Sequence, residues 1–457
     1  MKEFLEKTFR LKEHNTNVKT EILAGITTFM TMAYILAVNP TVLSASGMDS
    51  GAIFTATAIS ACFATLLMAA FSNYPFALAP GMGLNAFFAY TVVLNMGYSW
   101  QTALAAVFVE GIIFIVLSLT NVREAIFNCI PQSLKYGVTC GIGLFITFIG
   151  LQNAKLVVAS STLVSIFPFK DSIKDGTIYS QGMGAILAFI GVILTVVLLV
   201  KNVPGAILIG ILGTWILGIV FQILGIYVPN AELGMYSVLP DFSNGISVPS
   251  ITPTLMKMDF SGLLSFNFVT IMLSFLFVDL FDTLGTLIGV ASKADMLDKD
   301  GKLPRIRGAL LADAIGTTAG AMLGTSTVTT FVESSSGVML GGRTGLTSVT
   351  SAVLFGLSLF LSPIFLAIPS FATAPALIIV GLMMLSSITR INFDDMAESA
   401  PAFVALIAMP FMYSISEGIA LGVISYVAIN VLIGKAKKVH PLMYVLAIAF
   451  ILKYIFV

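Results

Sequence analysis

Six carboxylic acids lie inside long apolar segments of this sequence or at the ends of such segments. They are Glu110, Asp279, Asp282, Asp313, Glu333 and Glu417. A charged side chain at the centre of a bilayer costs about 2.5 to 3.5 kcal/mol on insertion scales, so such an acid is expected to face protein or a watery cavity. Carboxylates placed there can accept N–H groups from a solute or exchange protons. These acids are therefore the first candidates for chemistry.

Asp279 and Asp282 lie three residues apart in an otherwise apolar segment. This spacing places both on one helix face, which Gly285, Thr286 and Gly289 continue. The alternative is that one aspartate caps or pairs with a neighbouring helix. Because acids inside membranes are usually functional, we predict a ligand role for at least one of the two, with Asp282 as the first choice.

The stretch from 324 to 337 is rich in hydroxyl and β-branched side chains and is bounded by glycines. Extended backbone is tolerated at membrane depth only where it is buried in protein or lines a cavity. Glu333 would then stand at the start of a short helix that begins near Val332, close to backbone N–H groups left free at a helix N-terminus. The alternative is that Glu333 is a simple helix cap.

The stretch from 77 to 88 is the counterpart in the first half of the chain. Pro80, Gly81 and Gly83 interrupt the helix, and glycine permits close approach of the backbone to a ligand. Asn85 offers both a donor and an acceptor to a solute. The spacing of the glycines does not match a nucleotide-binding loop. We therefore predict a second short helix opposite Glu333.

Two helix N-termini aimed at one place would favour an anion, but acids in the same place would repel one. A neutral ring rich in N–H groups, such as a purine, satisfies both conditions. Carboxylates accept its N–H groups, backbone groups reach its other atoms, and Phe87, Phe88 or Phe331 could stack on it. A buried acid that exchanges protons as access alternates would couple uptake to the proton gradient.

The other polar residues suggest structural roles. We expect Asp313 and Glu110 to bridge helices or to take part in coupling, and Glu417 to mark a loop. His14 and His440 lie at polar margins, which does not favour a histidine proton relay. The three cysteines, Cys62, Cys129 and Cys140, have no paired spacing. No nucleophile–base or metal constellation is visible, so we predict neither an enzyme nor a cofactor.

The composition indicates which elements must position these residues. The chain has 457 residues, of which 57% are hydrophobic and 10% are charged, and its net charge is zero. Its apolar runs are long enough to cross roughly 30 Å of hydrocarbon, and backbone groups in lipid must be satisfied within each helix. We therefore predict an all-α polytopic membrane protein without a cleaved signal peptide and without a nucleic-acid partner.

We predict about fourteen membrane segments. They are residues 22–38, 52–71, 84–95, 101–120, 134–151, 183–200, 204–226, 266–290, 306–324, 332–341, 345–367, 371–389, 400–415 and 418–434. Segments 84–95 and 332–341 are too short to cross and are predicted to be half-helices preceded by extended stretches. Basic residues in the loops favour a cytoplasmic N-terminus in the cell membrane. The apolar tail, residues 441–457, is interpreted as lying at the membrane surface.

An internal repeat is visible. Ile130-Pro131 precedes Gly143, and Ile368-Pro369 precedes Gly381, with the same spacing. Seven spans per copy is an odd number, so the copies must be inverted, as in many transporters. The predicted divisions are a cytoplasmic segment 1–21, a first repeat 22–226, an extracytoplasmic linker 227–265, a second repeat 266–434, and a basic segment with the apolar tail 435–457.

At these motifs the sequence resembles the nucleobase permeases of the nucleobase-ascorbate transporter group, specifically their hypoxanthine-guanine-adenine (AzgA-like) branch. The runs that carry the resemblance are GITTFMTMAYI at 25–35, APGMGLNAF at 79–87, FVD at 277–279 with FDT at 281–283, and ESSSG at 333–337. The resemblance covers nearly the whole chain. It implies two inverted seven-span repeats, a core domain from spans 1–4 and 8–11, a gate domain from spans 5–7 and 12–14, and often a homodimer.

The resemblance also implies purine contacts from the third, eighth and tenth spans. In the wider group the eighth-span acid precedes a glycine by three residues, which selects Asp282 over Asp279. Thr286 stands where many relatives outside this branch carry a charged residue or histidine, so the resemblance does not identify the residues that bind the coupling cation. The candidate substrate-binding residues are Asp282, Glu333, Asn85, Gly83, Ala79, Val332, Ser334 and Phe331. The candidate cation-coupling residues are Asp279, Asp282, Thr286, Asp313 and Glu333.

The expected function is import of purine nucleobases by proton symport with alternating access, with guanine and hypoxanthine ahead of adenine. An anion exchanger of the same architecture is one alternative, and it would need a cationic site in place of Asp282 and Glu333. A channel is another, and it would show high flux without saturation.

Overall fold

The computed structural model describes residues 2–120, 129–161, 163–230, 235–240, 247–263, 265–293, 296 and 303–456. Its helices occupy every predicted span, which confirms the all-α polytopic prediction. In the first half these helices are α1 Lys2–Phe9, α2 Val18–Met32, α3 Ile35–Leu43, α4 Ser50–Ser72, α5 Met82–Ala86, α6 Trp100–Leu119, α7 Gln132–Asn153, α8 Phe169–Lys174, α9 Gly182–Val200 and α10 Ala206–Ile223. A π-helical stretch, Phe87–Asn95, continues α5.

The second half repeats this organisation. Its helices are α11 Phe266–Lys293, α12 Ile306–Leu323, α13 Ser334–Met339, α14 Gly345–Leu357, α15 Ser362–Phe365, α16 Ser370–Leu385, α17 Met396–Phe411, α18 Ile415–Leu432 and α19 Pro441–Phe456. Short 3-10 turns lie at Ser44–Ser46, Thr177–Tyr179, Ser358–Leu361, Ser386–Arg390 and Ala436–Lys438. Within the described ranges, nine helical segments are long and apolar enough to cross a membrane.

Two antiparallel strand pairs accompany the helices. β1 (Leu78–Pro80) pairs with β4 (Val328–Thr330), which confirms an extended stretch before each half-helix. β2 (Val157–Ser160) pairs with β3 (Leu163–Ile166) in a hairpin that the sequence did not predict. The β3 side chains are all exposed, so the hairpin shows no alternation of buried and exposed residues by which a half-buried strand is recognised.

The long helices pack in two groups. In the first group, α4 contacts α12 and α14, α6 contacts α11 and α12, and α2 contacts α13 and α14. The strands β1 and β4 lie within this group, against α4, α11 and α12. In the second group, α7 packs on α16 and α17, α17 on α18, and α9 on α10 and α16. The two groups touch where α7 meets α5 and α11.

The two glycines that suggested an internal repeat lie against each other where α7 crosses α16. A Cβ atom on Gly143 would lie 2.7 Å from the carbonyl oxygen of Gly381. A Cβ atom on Gly381 would in turn overlap the carbonyl oxygen of Gly143 and the hydroxyl of Thr147. Close backbone approach through small residues is a common way for membrane helices to pack.

The C-terminal helix α19 lies alongside α18 and runs antiparallel to it. The hydroxyl of Tyr454, near the end of α19, donates to the carboxylate of Glu417, near the start of α18. The ring of Phe450 lies 5.8 Å from that of Phe277 on α11. α19 thus extends beside α18 and buries part of its apolar surface against α11 and α18, and the expectation that the tail lies at the membrane surface stays a prediction.

Candidate functional site

The pairing of β1 with β4 brings the two interrupted segments together at the centre of the first helix group. Leu78 pairs with Thr330, and Pro80 pairs with Val328. Two backbone hydrogen bonds extend the pairing beyond the strands, from the N–H of Gly81 to the carbonyl of Thr327 and from the N–H of Phe331 to the carbonyl of Ala77, each 3.0 Å long. Both strands are fully buried. Half-helices α5 and α13 begin just after them.

Two threonines hold the strands in equivalent ways. Thr65 on α4 accepts from the N–H of Leu78 at 2.9 Å and donates to its carbonyl at 3.1 Å. Thr317 on α12 accepts from the N–H of Val328 at 3.2 Å and donates to its carbonyl at 2.9 Å. Each hydroxyl thus satisfies both backbone groups of one buried strand residue, which would otherwise remain unpaired away from water.

Asp282 on α11 faces the start of α5. Its Oδ2 atom lies 3.4 Å from the position that a Cβ atom would take on Gly81, and that Cβ would also lie 2.5 Å from the Cγ2 of Thr329. Any side chain at position 81 would therefore crowd the space in front of the carboxylate. Asp282 is partly exposed, and no described residue donates a hydrogen bond to it. Its acceptor oxygens are available to a ligand.

Glu333 follows β4, the other strand of the pair, and stands immediately before α13. Its side chain is buried and makes no cap hydrogen bond to α13, unlike the capping alternative considered from the sequence. One carboxylate oxygen, Oε1, accepts instead from the hydroxyl of Tyr34 at 2.8 Å. The charges of Glu333 and Asp313 both act on Asp282, so the three acids share one electrostatic environment.

A buried hydroxyl joins the other acids of the candidate coupling set. The Oγ1 atom of Thr283 lies 2.8 Å from an oxygen of Asp279, 2.9 Å from an oxygen of Asp313 and 2.8 Å from the hydroxyl of Thr329. Both carboxyl groups are fully buried. A hydroxyl carries one proton and accepts through two lone pairs, so two of its three neighbours must donate to it. Thr329 can be one donor, and a proton carried by one of the two carboxyl groups would supply the second.

The remaining substrate candidates occupy several environments. Asn85 is fully buried, and the hydroxyl of Ser326 donates to its side-chain oxygen. Gly83 faces α7, where an added Cβ would lie 2.8 Å from the Cγ2 of Ile142. Ser334 accepts from the N–H of Ala77 at 3.0 Å and so helps to hold the strand pair. Each of these three residues thus packs against or hydrogen-bonds to another segment of the chain.

Three other candidates lie in the strand pair, before α13 and on α11. Ala79 is buried within β1 opposite Thr329, and Val332 is partly exposed just before Glu333. Thr286 lies one turn beyond Asp282 on α11 and is almost completely buried.

The aromatic candidates separate into two sets. The ring of Phe331 lies 6.5 Å from that of Tyr34, next to the hydrogen bond that Tyr34 makes to Glu333. The rings of Phe87 and Phe88 are fully buried and lie 4.9 and 6.3 Å from that of Phe275. Of the three phenylalanines proposed for stacking, the structure places Phe331 beside a site carboxylate.

Two further polar side chains hold the extended stretch before β4. Glu110 on α6 accepts from the hydroxyl of Thr327 at 3.1 Å. Asn39 on α3 donates to the hydroxyl of Thr325 at 3.0 Å and to that of Thr57 at 2.7 Å. Glu110 thus bridges segments, one of the two roles expected of it. Asn39 was not anticipated because a single amide in an apolar segment does not reveal its partners.

Tyr34 was also not identified from the sequence. It lies between α2 and α3, is fully buried, and is surrounded in the sequence by apolar residues. A tyrosine in such a run is as compatible with packing as with function. A buried phenol nevertheless usually finds a hydrogen-bond partner, and this rule is the signal that could have drawn attention to it.

A sequence profile of the permease family Xan_ur_permease matches residues 19–421. The chain is 51% identical over 454 residues to the putative permease MJ0326 of Methanocaldococcus jannaschii, covering 99% of this chain and 98% of that protein. It is 45% identical to the guanine/hypoxanthine permease PbuO of Bacillus subtilis, covering 97% and 99%. It is 42% identical to the adenine permease AdeP of Escherichia coli, covering 99% and 96%.

Solved structures share the fold at low sequence identity. The transmembrane domain of the cyanobacterial bicarbonate transporter BicA matches with a TM-score of 0.61 at 14% identity, covering 89% of this chain and 97% of that one. SLC26A9 matches with a TM-score of 0.63 at 13% identity, covering 94% and 69%. These similarities show a shared membrane-transporter architecture.

Proposed function

The chain belongs to the Xan_ur_permease family of membrane transporters, and from this premise we propose that it imports purine nucleobases, with guanine and hypoxanthine preferred and adenine next. The named substrates of its relatives support this choice. PbuO is a guanine/hypoxanthine permease and AdeP an adenine permease, and each aligns along almost the whole chain. We propose that the protein resides in the cell membrane with its N-terminus in the cytoplasm.

The observation that carries the proposal is that each interrupted segment has a carboxylate at its break: Asp282 lies beside Gly81, between β1 and α5, and Glu333 stands between β4 and α13. Both side chains are acceptors when ionised, and a neutral purine presents N–H groups at more than one edge. The space in front of Gly81 lies beside Asp282. An anion at this place would meet two carboxylates, which argues against an exchanger of sulfate or dicarboxylates.

We assign proton coupling to Asp279, Asp282, Thr286, Asp313 and Glu333. The geometry around Thr283 supports this assignment, because its single hydroxyl proton cannot serve both Asp279 and Asp313, and a proton on one of these acids would complete the second hydrogen bond. A proton stored in this buried pair could be released when access changes and water reaches the site. The proposed mechanism is therefore proton symport.

Alternating access follows from the two helix groups. We propose that the group around β1 and β4 is the core domain, from spans 1–4 and 8–11, and that the group around α7 and α16 is the gate domain, from spans 5–7 and 12–14. The site would then move relative to the gate where α5 and α11 contact α7. A homodimer is the proposed assembly, with the gate domain as its fixed element.

Uptake by purified protein in proteoliposomes tests the proposal. Radiolabelled hypoxanthine, guanine, adenine, uracil and sulfate are compared with and without an inward proton gradient. We expect saturable purine uptake that rises with the gradient. Uptake of sulfate or uracil without purine uptake would contradict the substrate assignment, and flux that does not saturate would indicate a channel. Purine uptake that does not change with the proton gradient but rises with a sodium gradient would show that sodium, and not the proton, is the coupling ion.

A further inference from the structure

Tyr34 contacts the site from the break between α2 and α3. The phenol is fully buried and donates its one proton to Oε1 of Glu333 over 2.8 Å. Close by, the hydroxyl of Thr31, on α2, lies 3.4 Å from the backbone carbonyl oxygen of Glu333 but closer to the carbonyl of Thr28 in its own helix, at 2.9 Å. Tyr34 is therefore the hydroxyl that fixes the carboxylate of Glu333.

We propose that Tyr34 is a positioning residue that sets which purine the site prefers, an inference that rests on the proposed function. Holding Oε1 orients the carboxylate and leaves Oε2 as the oxygen directed to the substrate. Each carboxylate oxygen can accept two hydrogen bonds, so Oε1 keeps one lone pair beside the bond from Tyr34. That bond nevertheless fixes the rotation of the carboxylate and weakens Oε1 as the second acceptor of a fork of two N–H groups.

This difference separates two related purines. Guanine carries an N1–H group next to a 2-amino group, so it can present a pair of donors to a carboxylate. Hypoxanthine has the N1–H group and lacks the amine. While Tyr34 holds Oε1, the second bond of the fork is weakened, so guanine gains less from its additional donor than it would from a free carboxylate, and the two purines should be recognised with similar strength. Removing the phenol hydroxyl should free Oε1 for the amine.

The surroundings of Tyr34 agree with a role in orientation. The Phe331 ring lies 6.5 Å from the Tyr34 ring, tilted by 50°. The charge of Asp282 also acts on the Tyr34 hydroxyl, so the phenol is near both proposed binding acids. The Tyr34 hydroxyl thus links the α2–α3 break to the carboxylate of Glu333.

The test measures KM for guanine and hypoxanthine in proteoliposomes containing the wild-type protein, Tyr34→Phe or Tyr227→Phe. Tyr227 is a matched control because it is also buried and its hydroxyl donates to a backbone carbonyl, that of Tyr236, at 2.8 Å. We expect Tyr34→Phe to raise the preference for guanine over hypoxanthine by about tenfold, equivalent to ~1.4 kcal/mol. Tyr227→Phe should leave the ratio unchanged.

A purely structural role for Tyr34 would change both KM values together and leave their ratio constant, and that result would overturn the inference. If Tyr34→Phe fails to fold, the ratio of the KM values for hypoxanthine and guanine in the wild-type protein tests the inference. A wild-type preference for guanine below about tenfold supports a carboxylate restrained by Tyr34, and a larger preference overturns the inference. If wild-type protein transports neither purine, the proposed function itself fails, whereas transport with an unresponsive ratio contradicts only the role of Tyr34.

Discussion

Gly143 and Gly381 face each other backbone to backbone where α7 crosses α16, and a Cβ atom on either one would approach the carbonyl oxygen of the other. These residues occupy equivalent positions in the two copies of the sequence repeat. Their contact leaves no room for a side chain on either helix, so α7 and α16 pack through their backbones at this crossing.

We expect Gly381→Ala to lower the thermal stability of the detergent-solubilised protein, because overpacking a close contact costs about 1–3 kcal/mol. Gly143→Ala should have a similar effect, and the double variant should lose less than the sum because both changes affect one contact. Gly356→Ala on α14 is the control, since the nearest atom to its added Cβ would be the Cys62 sulfur at 3.6 Å. Thermal midpoints that match the control in all three variants would contradict the described crossing.

Asp282→Asn and Glu333→Gln should yield protein that inserts and folds normally but fails to transport purines. Each change removes a charge-assisted hydrogen bond worth about 1.5–3 kcal/mol, so hypoxanthine should bind roughly 10- to 100-fold more weakly. Binding is measured with radiolabelled hypoxanthine on purified protein, with melting curves to verify folding. Asp259→Asn, outside the site, is the matched control. Normal uptake by both site variants would refute the proposed site.

Thr283→Val should uncouple transport from the proton gradient. The substitution keeps the side-chain shape but removes the hydroxyl that joins Asp279, Asp313 and Thr329. We expect the ratio of uptake with and without a gradient to fall toward one, while the KM for hypoxanthine changes by less than about threefold. Thr283→Ser, which retains the hydroxyl, should behave like the wild type. An undiminished gradient effect in Thr283→Val would show that this hydroxyl has no part in coupling.

The N-terminal segment is docked against the ends of the helices that carry the strand pair. The side chain of Asn73 donates to the carbonyl of Phe9 at 3.0 Å and accepts from the N–H of Gly345 at 2.9 Å. Thr16 donates to the carbonyl of Gly341 at 3.4 Å. Partial burial lowers the pKa of His14, the nearby Arg305 and Arg10 lower it further, and Glu13 and Glu21 oppose this effect.

Docking of this segment should weaken as the pH falls below about 6.5, the ordinary pKa of histidine. The docked state has the lower pKa and so binds fewer protons, which means that docking is favoured above this pH and is lost as the pH falls through the docked-state value. A spin label at Lys12→Cys, in protein whose native cysteines are replaced by serine, should become more mobile in acid. The same response in a His14→Gln variant would assign the effect to another group.

The sequence was most informative where residue types conflict with their surroundings. Acids in apolar helices and a hydroxyl-rich stretch inside a membrane protein can hardly be explained without a polar interior, so the half-helices and Asp282 were recognisable. The residues that each of these side chains contacts could not be predicted in the same way. Tyr34 and Glu333 are separated by about 300 residues, and nothing local in either segment indicates that they meet.

The same reasoning applies to the packing of the C-terminal helix. Residues 441–457 were assigned to the membrane surface from the number of spans, because a fifteenth crossing would move the chain end to the other side. The contacts of α19 with Glu417 and Phe277 depend on the packing of α11 and α18. From the sequence, Phe87 and Phe88 were candidates for stacking on a purine. In the structure both rings pack near the ring of Phe275 from the second half of the chain, a contact that the sequence could not indicate.

The pairing of β1 with β4 has a consequence for the synthesis of the chain. β1 leaves the ribosome about 250 residues before β4, which is roughly 12 to 50 s of translation at about 5–20 residues per second. During this time β1 and its half-helix would sit in or near the bilayer with backbone groups that have no final partner. Early spans must therefore be retained by the insertion machinery or shielded by neighbouring helices until the second half emerges, and a truncated first half is expected to be degraded.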